Sequence, residues 1–199
     1  MKTKSSPDGS IDNPVDPVSF ALGASATFVA RTVDVDAKHL QQTLRRAHQH
    51  RGTSFVEILQ NCPVFNDDEW IEVEDRKSRT EAALVLEDGQ PLVTGSKGRR
   101  KGIRIEAGIP SVVDLADDAD PIAEGIAVHS ERHDSPAYAF ALASLQRPAF
   151  PLPIGVFRAV EWNAYDTMLE SQVESATERR GIGDVHELLH SGDTWTIEP

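Results

Sequence analysis

Cysteine is nearly missing from this chain: Cys62 is the only one among 199 residues. No disulfide framework can be built from a single thiol, and the usage suits a reducing compartment. Long hydrophobic runs are missing too. No stretch approaches the roughly 18–20 apolar residues that span a bilayer. The opening MKTKSSPDGS has two lysines with no apolar segment behind them, so it does not read as a secretory signal. Positive charge is in deficit: 20 Lys and Arg stand against 32 Asp and Glu, for a net charge of −12. Such a balance argues against nucleic-acid or anionic-membrane surfaces. No G-x-G-x-x-G occurs, so a dinucleotide fingerprint is excluded. What remains is a soluble, globular, cytoplasmic class, with 39% hydrophobic and 26% charged residues.

Order begins after a polar lead-in over residues 1–18, punctuated by Pro7, Gly9, Pro14 and Pro17. A short helix is predicted over 18–25, then a strand over 26–32. Asp34 or Asp36 caps a helix from residue 37, whose inward face is read as Leu40, Leu44 and Ala47. Gly52 is its stop, and a strand follows over 54–60. Strand–helix–strand at this length is a βαβ unit with parallel pairing and a right-handed crossover.

Beyond residue 67 the texture changes. Residues 82–86 and 91–94 read as a hairpin, and 103–106 as a further strand. The basic loop GSKGRRKG over 95–102 lacks the P-loop pattern, so it is read as a solvated tip rather than a phosphate cradle. The acidic run DLADDAD reads as an exposed face. A buried helix is expected over 135–145, a strand over 154–160, and a helix from Asn163 to about 178 with Tyr165, Met168, Leu169, Gln172, Val173 and Ala176 along its seam. A short helix over 184–190 and a strand-like DTWTIE finish the sequence.

Three groups of residues could carry chemistry. His186 and His190 form an H-E-x-x-H with Glu187, the spacing of zinc proteases. Only nine residues follow His190, none of them His or Cys, and the third ligand is missing. The pairs His129/His133 and His48/His50 likewise lack a partner and are read as surface or local contacts. Cys62 sits just past the end of a predicted strand, between the breakers Asn61 and Pro63, where open α/β sheets carry their chemistry. It reads either as a small buried hydrophobe or as a thiolate ligand.

The segment SFVEILQNCPVFND over 54–67 resembles the ALVEILQxCPxFND-like segments in the β subunits of 2-oxoacid:ferredoxin oxidoreductases, the 2-oxoglutarate type above all. The stretch KTKSSPDGSIDNPVDPVSFALGASATFVART is similar to a KT-SPYGS-D-P-NP-SLALGA-ATFVAR segment of the same subunit, and SPAYAFALASL, GVFRAVEWNAYD and SGDTWTIE are similar to its distal part, all in the same order. The resemblance implies an α/β fold: the C-terminal part of a thiamin-diphosphate-binding, parallel-sheet domain over 1–70, then a C-terminal α+β extension over 71–199. It implies that Cys62 is the fourth ligand of a 4Fe–4S cluster. A cluster needs four thiolates, so this chain cannot hold one alone. The family's C-x-x-C pair and its G-D-G…N segment, which binds Mg²⁺ and the diphosphate of thiamin diphosphate, are not in the sequence.

The implied activity is oxidative decarboxylation of 2-oxoglutarate to succinyl-CoA, with electrons passed through the cluster to ferredoxin; pyruvate is the rival substrate. The expected partners are an α subunit, ferredoxin, coenzyme A and the 2-oxoacid, with no nucleic acid and no membrane. The chain is expected to be inactive by itself. The alternative is a non-catalytic assembly module that docks on the α subunit.

Overall fold

The computed structural model describes residues 6–197. They fall into two compact units, one running through Trp162 and the other from Asn163 onward.

The first unit is built on the predicted βαβ. Helix α1 (Pro17–Gly23) is opened by Asp16, whose carboxylate accepts the amide of Ser19 at 2.6 Å, with Pro17 in the first turn. Strand β1 (Phe28–Val33) leads to α2 (Ala37–Gln49), capped by Asp36, and then to β2 (Ser54–Leu59). β1 and β2 pair in parallel, with Phe28 opposite Ser54 and Val33 opposite Leu59. All six residues of β1 are buried, as befits a strand covered on both faces.

Two strands from far along the chain complete this sheet. Strand β7 (Leu152–Ala159) lies antiparallel against the other edge of β1, and β3 (Ala83–Leu86) runs parallel to β7. The order is β2-β1-β7-β3. The predicted hairpin over 82–94 therefore does not form. Its first arm is β3, and its second is β4 (Val93–Thr94), which pairs instead with β5 (Lys101–Glu106). β5 continues into β6 (Ile109–Asp114) to make a separate antiparallel sheet. The apolar Ala83, Leu84 and Leu86 gain more by entering the main sheet, where they are buried, than by facing a two-residue arm. The short helices α3 (Ile71–Glu74) and α4 (Arg79–Ala82) lie in the connection from β2 to β3.

The main core lies on the odd-numbered face of β1. Val29 packs there with Val18, Leu22, Leu84, Leu142 and Phe157, and α5 (Ala137–Ala143) closes it. Arg31 points to the same side and is buried; its guanidinium meets Glu57 at 2.5 Å and Asp16 at 3.5 Å and lies 5.4 Å from the Phe157 ring centre. Two carboxylates and a carbonyl, that of Pro153 at 3.4 Å, compensate the buried cation.

The even-numbered face of β1 meets α2, and here the expected seam is displaced. Leu44 is 44% exposed, whereas Thr43 is buried. The inward positions are His39, Thr43, Arg46, Ala47 and His50, spaced at helical turns. His39 Nδ1 bonds Thr32 Oγ1 at 2.7 Å, and His50 Nε2 bonds Thr27 Oγ1 at 2.9 Å. Arg46 donates to Glu131 and lies over the Phe28 ring. Polar partners waiting on the sheet rotated the helix by about one residue from its apolar stripe.

The second unit holds α6 (Tyr165–Arg180) and α7 (Val185–Leu189). Gly181, at φ +79°, ends α6, and Asp184 caps α7 through the amides of His186 and Glu187. The expected seam of α6 is exposed at Tyr165, Met168, Leu169 and Val173. Residues 193–197 form no strand, contrary to expectation, and Glu198 of that stretch lies outside the described residues, as do residues 1–5 of the lead-in.

Candidate functional site at the end of strand β2

β2 is the edge strand of the main sheet and delivers the chain to Cys62 three residues beyond its C-terminal end. Pro63 has no amide to extend the ladder, so the chain turns back on itself. Cys62 and Asn66 face each other across the turn, and the amide of Asn66 donates to the carbonyl of Cys62 at 2.9 Å. Val64 and Phe65 form the tip and are 60% and 55% exposed.

Asn61 closes the base of this loop. Its side-chain amide donates to Asp67 Oδ1 at 2.9 Å, and its Oδ1 accepts the backbone amide of Asp68 at 3.0 Å. Asp68 is in the left-handed region, φ +63°, a conformation that aspartate tolerates better than most residues. Behind the loop, Arg147 stacks over Trp70 at 4.9 Å and donates to the carbonyl of Glu69 at 2.9 Å, pinning the exit.

The thiol of Cys62 is free and half-buried. The nearby backbone amides of Phe65 and Val64, and less so that of Asn66, hold it below the ordinary thiol range, while burial and the Asp67 carboxylate oppose them. Donors aimed at a sulfur favour the thiolate, the form that is both nucleophile and metal ligand. The cysteine is thus presented at a turn rather than packed in the core. Its loop can supply one soft, negatively charged donor at the C-terminal end of a parallel strand pair.

The other sequence candidates are not assembled into sites. The rings of His186 and His190 are 4.4 Å apart, but His190 Nδ1 bonds the carbonyl of His186 at 2.8 Å. Among the described residues, no group of three or more His, Cys, Asp or Glu could hold a metal ion. His129, read as a surface or local contact, is buried instead: its Nε2 reaches the carbonyl of Val156, 27 residues away, at 2.8 Å. His133 lies against Tyr138, and His48 is exposed.

The basic loop over 95–102 spends its arginines within the chain. Arg99 meets Glu81 at 3.2 Å, and Arg100 donates to the carbonyls of Ala116 and Asp117 at 2.9 and 2.8 Å. The amide of Gly98 donates to Asp117 Oδ1 at 2.7 Å. Sequence reasoning treated Asn61 only as a strand breaker and gave Asp67 no role. The usable signal was an asparagine, both donor and acceptor, set before a C-P turn and followed at a short distance by two aspartates.

Known proteins resemble this chain both over a short N-terminal stretch and over nearly its whole length. Residues 1–58 match the family described as "Thiamine pyrophosphate enzyme, C-terminal TPP binding domain". The chain is 40% identical over 199 residues to the 2-oxoglutarate oxidoreductase subunit KorB of Mycobacterium tuberculosis, covering 98% of this chain and 52% of that protein. It is 39% identical over 67 residues to the 2-oxoacid:ferredoxin oxidoreductase subunit beta of Saccharolobus solfataricus, covering 34% of this chain and 22% of that protein. In three dimensions it is similar to the structure titled 2-oxoglutarate:ferredoxin oxidoreductase from Magnetococcus marinus with 2-oxoglutarate, coenzyme A and succinyl-CoA bound, with a TM-score of 0.57 at 18% identity over 98% of this chain and 50% of that one. That likeness establishes the α/β fold. The chain spans about half the length of the relative it matches end to end. Through these matches the chain is similar to subunits of the 2-oxoacid:ferredoxin oxidoreductases, across nearly all of its own residues and about half the length of the first of these relatives.

Proposed function

We propose that this chain is the C-terminal portion of the β component of a 2-oxoglutarate:ferredoxin oxidoreductase, the complex that converts 2-oxoglutarate, coenzyme A and oxidised ferredoxin to succinyl-CoA, carbon dioxide and reduced ferredoxin. The end-to-end identity of 40% to a protein named as a 2-oxoglutarate oxidoreductase subunit carries this reading. In it, residues 1–70 finish the thiamin-diphosphate-binding domain and 71–199 form the β-subunit extension. An α subunit and polypeptide bearing the remaining cofactor ligands complete the cytoplasmic enzyme, and the chain is inactive without them.

The cofactors of such a complex are thiamin diphosphate with Mg²⁺, which supplies the electron sink for decarboxylation, and a 4Fe–4S cluster, which accepts electrons singly. The donor set of this chain fits one corner of a cluster: one free thiol, half-buried and presented at a turn. Cys62 is the residue that would hold iron. Val64 and Phe65, exposed beside it, would keep water from the sulfur once covered by a partner. No residue of this chain is assigned to Mg²⁺ or to the diphosphate.

The test is reconstitution. The chain is co-expressed with an α subunit and with the polypeptide that carries the C-x-x-C and G-D-G…N segments, and 2-oxoglutarate-dependent, coenzyme-A-dependent reduction of ferredoxin is measured. Activity with all parts and none with any part omitted is expected. A purified assembly that binds this chain and turns over equally well without it defeats the proposal.

A further inference from the structure

Helix α7 is five residues long and none of them is buried. Val185, Leu188 and Leu189, the residues that would anchor it to a core, are 72%, 72% and 71% exposed. A helix this short has little stability of its own, since isolated helices below roughly 12–15 residues are marginal in water. Its first turn is held by Asp184, which accepts the amides of His186 at 2.6 Å and Glu187 at 3.1 Å. At the other end stand two imidazoles. His186 and His190 are four residues apart, so both project from one face, and their ring centres are 4.4 Å apart. Both residues are exposed. His190 Nδ1 lies 2.8 Å from the carbonyl oxygen of His186. A carbonyl only accepts, so Nδ1 carries the proton and donates it, and the lone pair of the neutral His190 ring is on Nε2. A ring nitrogen donating to a backbone carbonyl is how metal-binding histidines are commonly oriented, because the bond fixes both the tautomer and the ring plane.

We propose that His186 and His190 form a two-point chelate for a divalent transition-metal ion, and that the bound ion staples the short helix α7. Two nitrogens held at about 2.0–2.1 Å from one ion lie about 3 Å apart, and rings with centres 4.4 Å apart reach that by side-chain rotation alone. A protease centre needs a third protein ligand, and among the described residues none joins the pair to make a group of three. A chelate needs only two, with water in the remaining positions. Imidazole nitrogens with water suit Cu²⁺ and Ni²⁺ in a tetragonal arrangement, and the stability order puts Cu²⁺ ahead of both Ni²⁺ and Zn²⁺. The net charge of −12 favours the approach of any cation. The pair needs neither Cys62 nor a partner subunit.

The probe is Cu²⁺, added to the whole chain carrying Cys62→Ser so that the free thiol neither competes for the ion nor is oxidised by it. Binding is measured by calorimetry, the ligand atoms by EPR of the copper ion, and helicity by far-ultraviolet circular dichroism. This parent is compared with the further substitutions His186→Ala, His190→Ala and His48→Ala, His48 being an exposed histidine outside the pair. The parent is expected to bind one equivalent, with nitrogen hyperfine structure from two imidazoles, and to gain helicity. Loss of either member of the pair should weaken binding roughly a hundredfold, the low end for linking two binding groups, and abolish the gain. Both members are exposed, so their removal leaves the core untouched. His48→Ala should behave as the parent. Affinity unaltered in His186→Ala or in His190→Ala overturns the chelate. So does an equal loss in His48→Ala, which marks scattered surface binding. Copper held by the pair with no gain in helicity overturns the staple.

Discussion

The guanidinium of Arg46 grips the carboxylate of Glu131 with both of its terminal nitrogens, joining α2 to the chain 85 residues later. Glu131 is 3% exposed, and Arg46 keeps its outer half in solvent. The acid also offers its amide to Asp88, so three segments meet at one buried charge. Arg46→Met should destabilise the fold by roughly 3 kcal/mol, the low end for a buried charge left without its partner, since water can reach part of the site. Glu131→Gln should cost less, because an amide oxygen still accepts from Arg46 while the charge is gone. Urea unfolding of both variants at matched m-values measures the difference.

Gly155 makes a second prediction. It lies in β7 at φ +133°, and a Cβ there would stand 2.6 Å from the carbonyl oxygen of Leu86. The neighbour is backbone of β3, so it cannot swing aside. Gly155→Ala combines an unfavourable dihedral with a backbone clash and should cost roughly 3 kcal/mol or more. Gly89→Ala, at φ +78° but with nothing near the added carbon, should cost clearly less. The urea midpoints of the pair report whether the close strand approach is real.

Stability should fall on mild acidification. His129, His39 and His50 are all held below the ordinary imidazole value of 6.5, in each case chiefly by burial. The bond from His129 to Val156 and the charges of Glu131 and Asp88 only partly offset this. A depressed folded value means that the unfolded chain binds more protons as pH drops through 6.5. Stability is then full above that point and is lost progressively below it, down to the folded values. Thermal melts from pH 8 to pH 5 should show a plateau and then a decline, roughly as linkage requires. His129→Gln, which keeps a donor for Val156 but cannot charge, should flatten the decline.

Cys62→Ser is expected to remove the iron–sulfur EPR signal of the assembled complex and to leave the fold of this chain near intact, because the thiol fills no core position. Circular dichroism and EPR on the same preparation check both halves of the statement. An unchanged spectrum refutes the ligand role.

How far the sequence carried the structure can be seen at individual residues. The unit β1–α2–β2 was legible because its period switches from strand to helix and back between clear stops. The N-cap at Asp36 was legible for the same local reasons. The inward face of α2 was not. Its hydrophobic spacing pointed to Leu44, but the partners of His39, Arg46 and His50 are Thr32 on β1, Glu131, and Thr27 just before β1, of which Glu131 and Thr27 lie far in sequence from the residues they meet. The hairpin over 82–94 failed on a similar ground, since β3 finds its mate in β7. The place of Cys62 at a strand end was readable from Asn61 and Pro63; the side-chain clamp that shapes its loop was not, because hydrogen-bond geometry leaves little mark on composition.

The sheet order β2-β1-β7-β3 also sets a timetable for synthesis. Arg31 of β1 and Pro153 of β7 are neighbours in space but 122 residues apart along the chain. At about 5–20 residues per second, β1 leaves the ribosome roughly 6–25 s before its second partner exists. Throughout that interval an apolar strand has one edge open and β3 has no sheet to join. Until residues 152–159 emerge, that open edge is the part of the nascent chain most exposed to pairing with another chain.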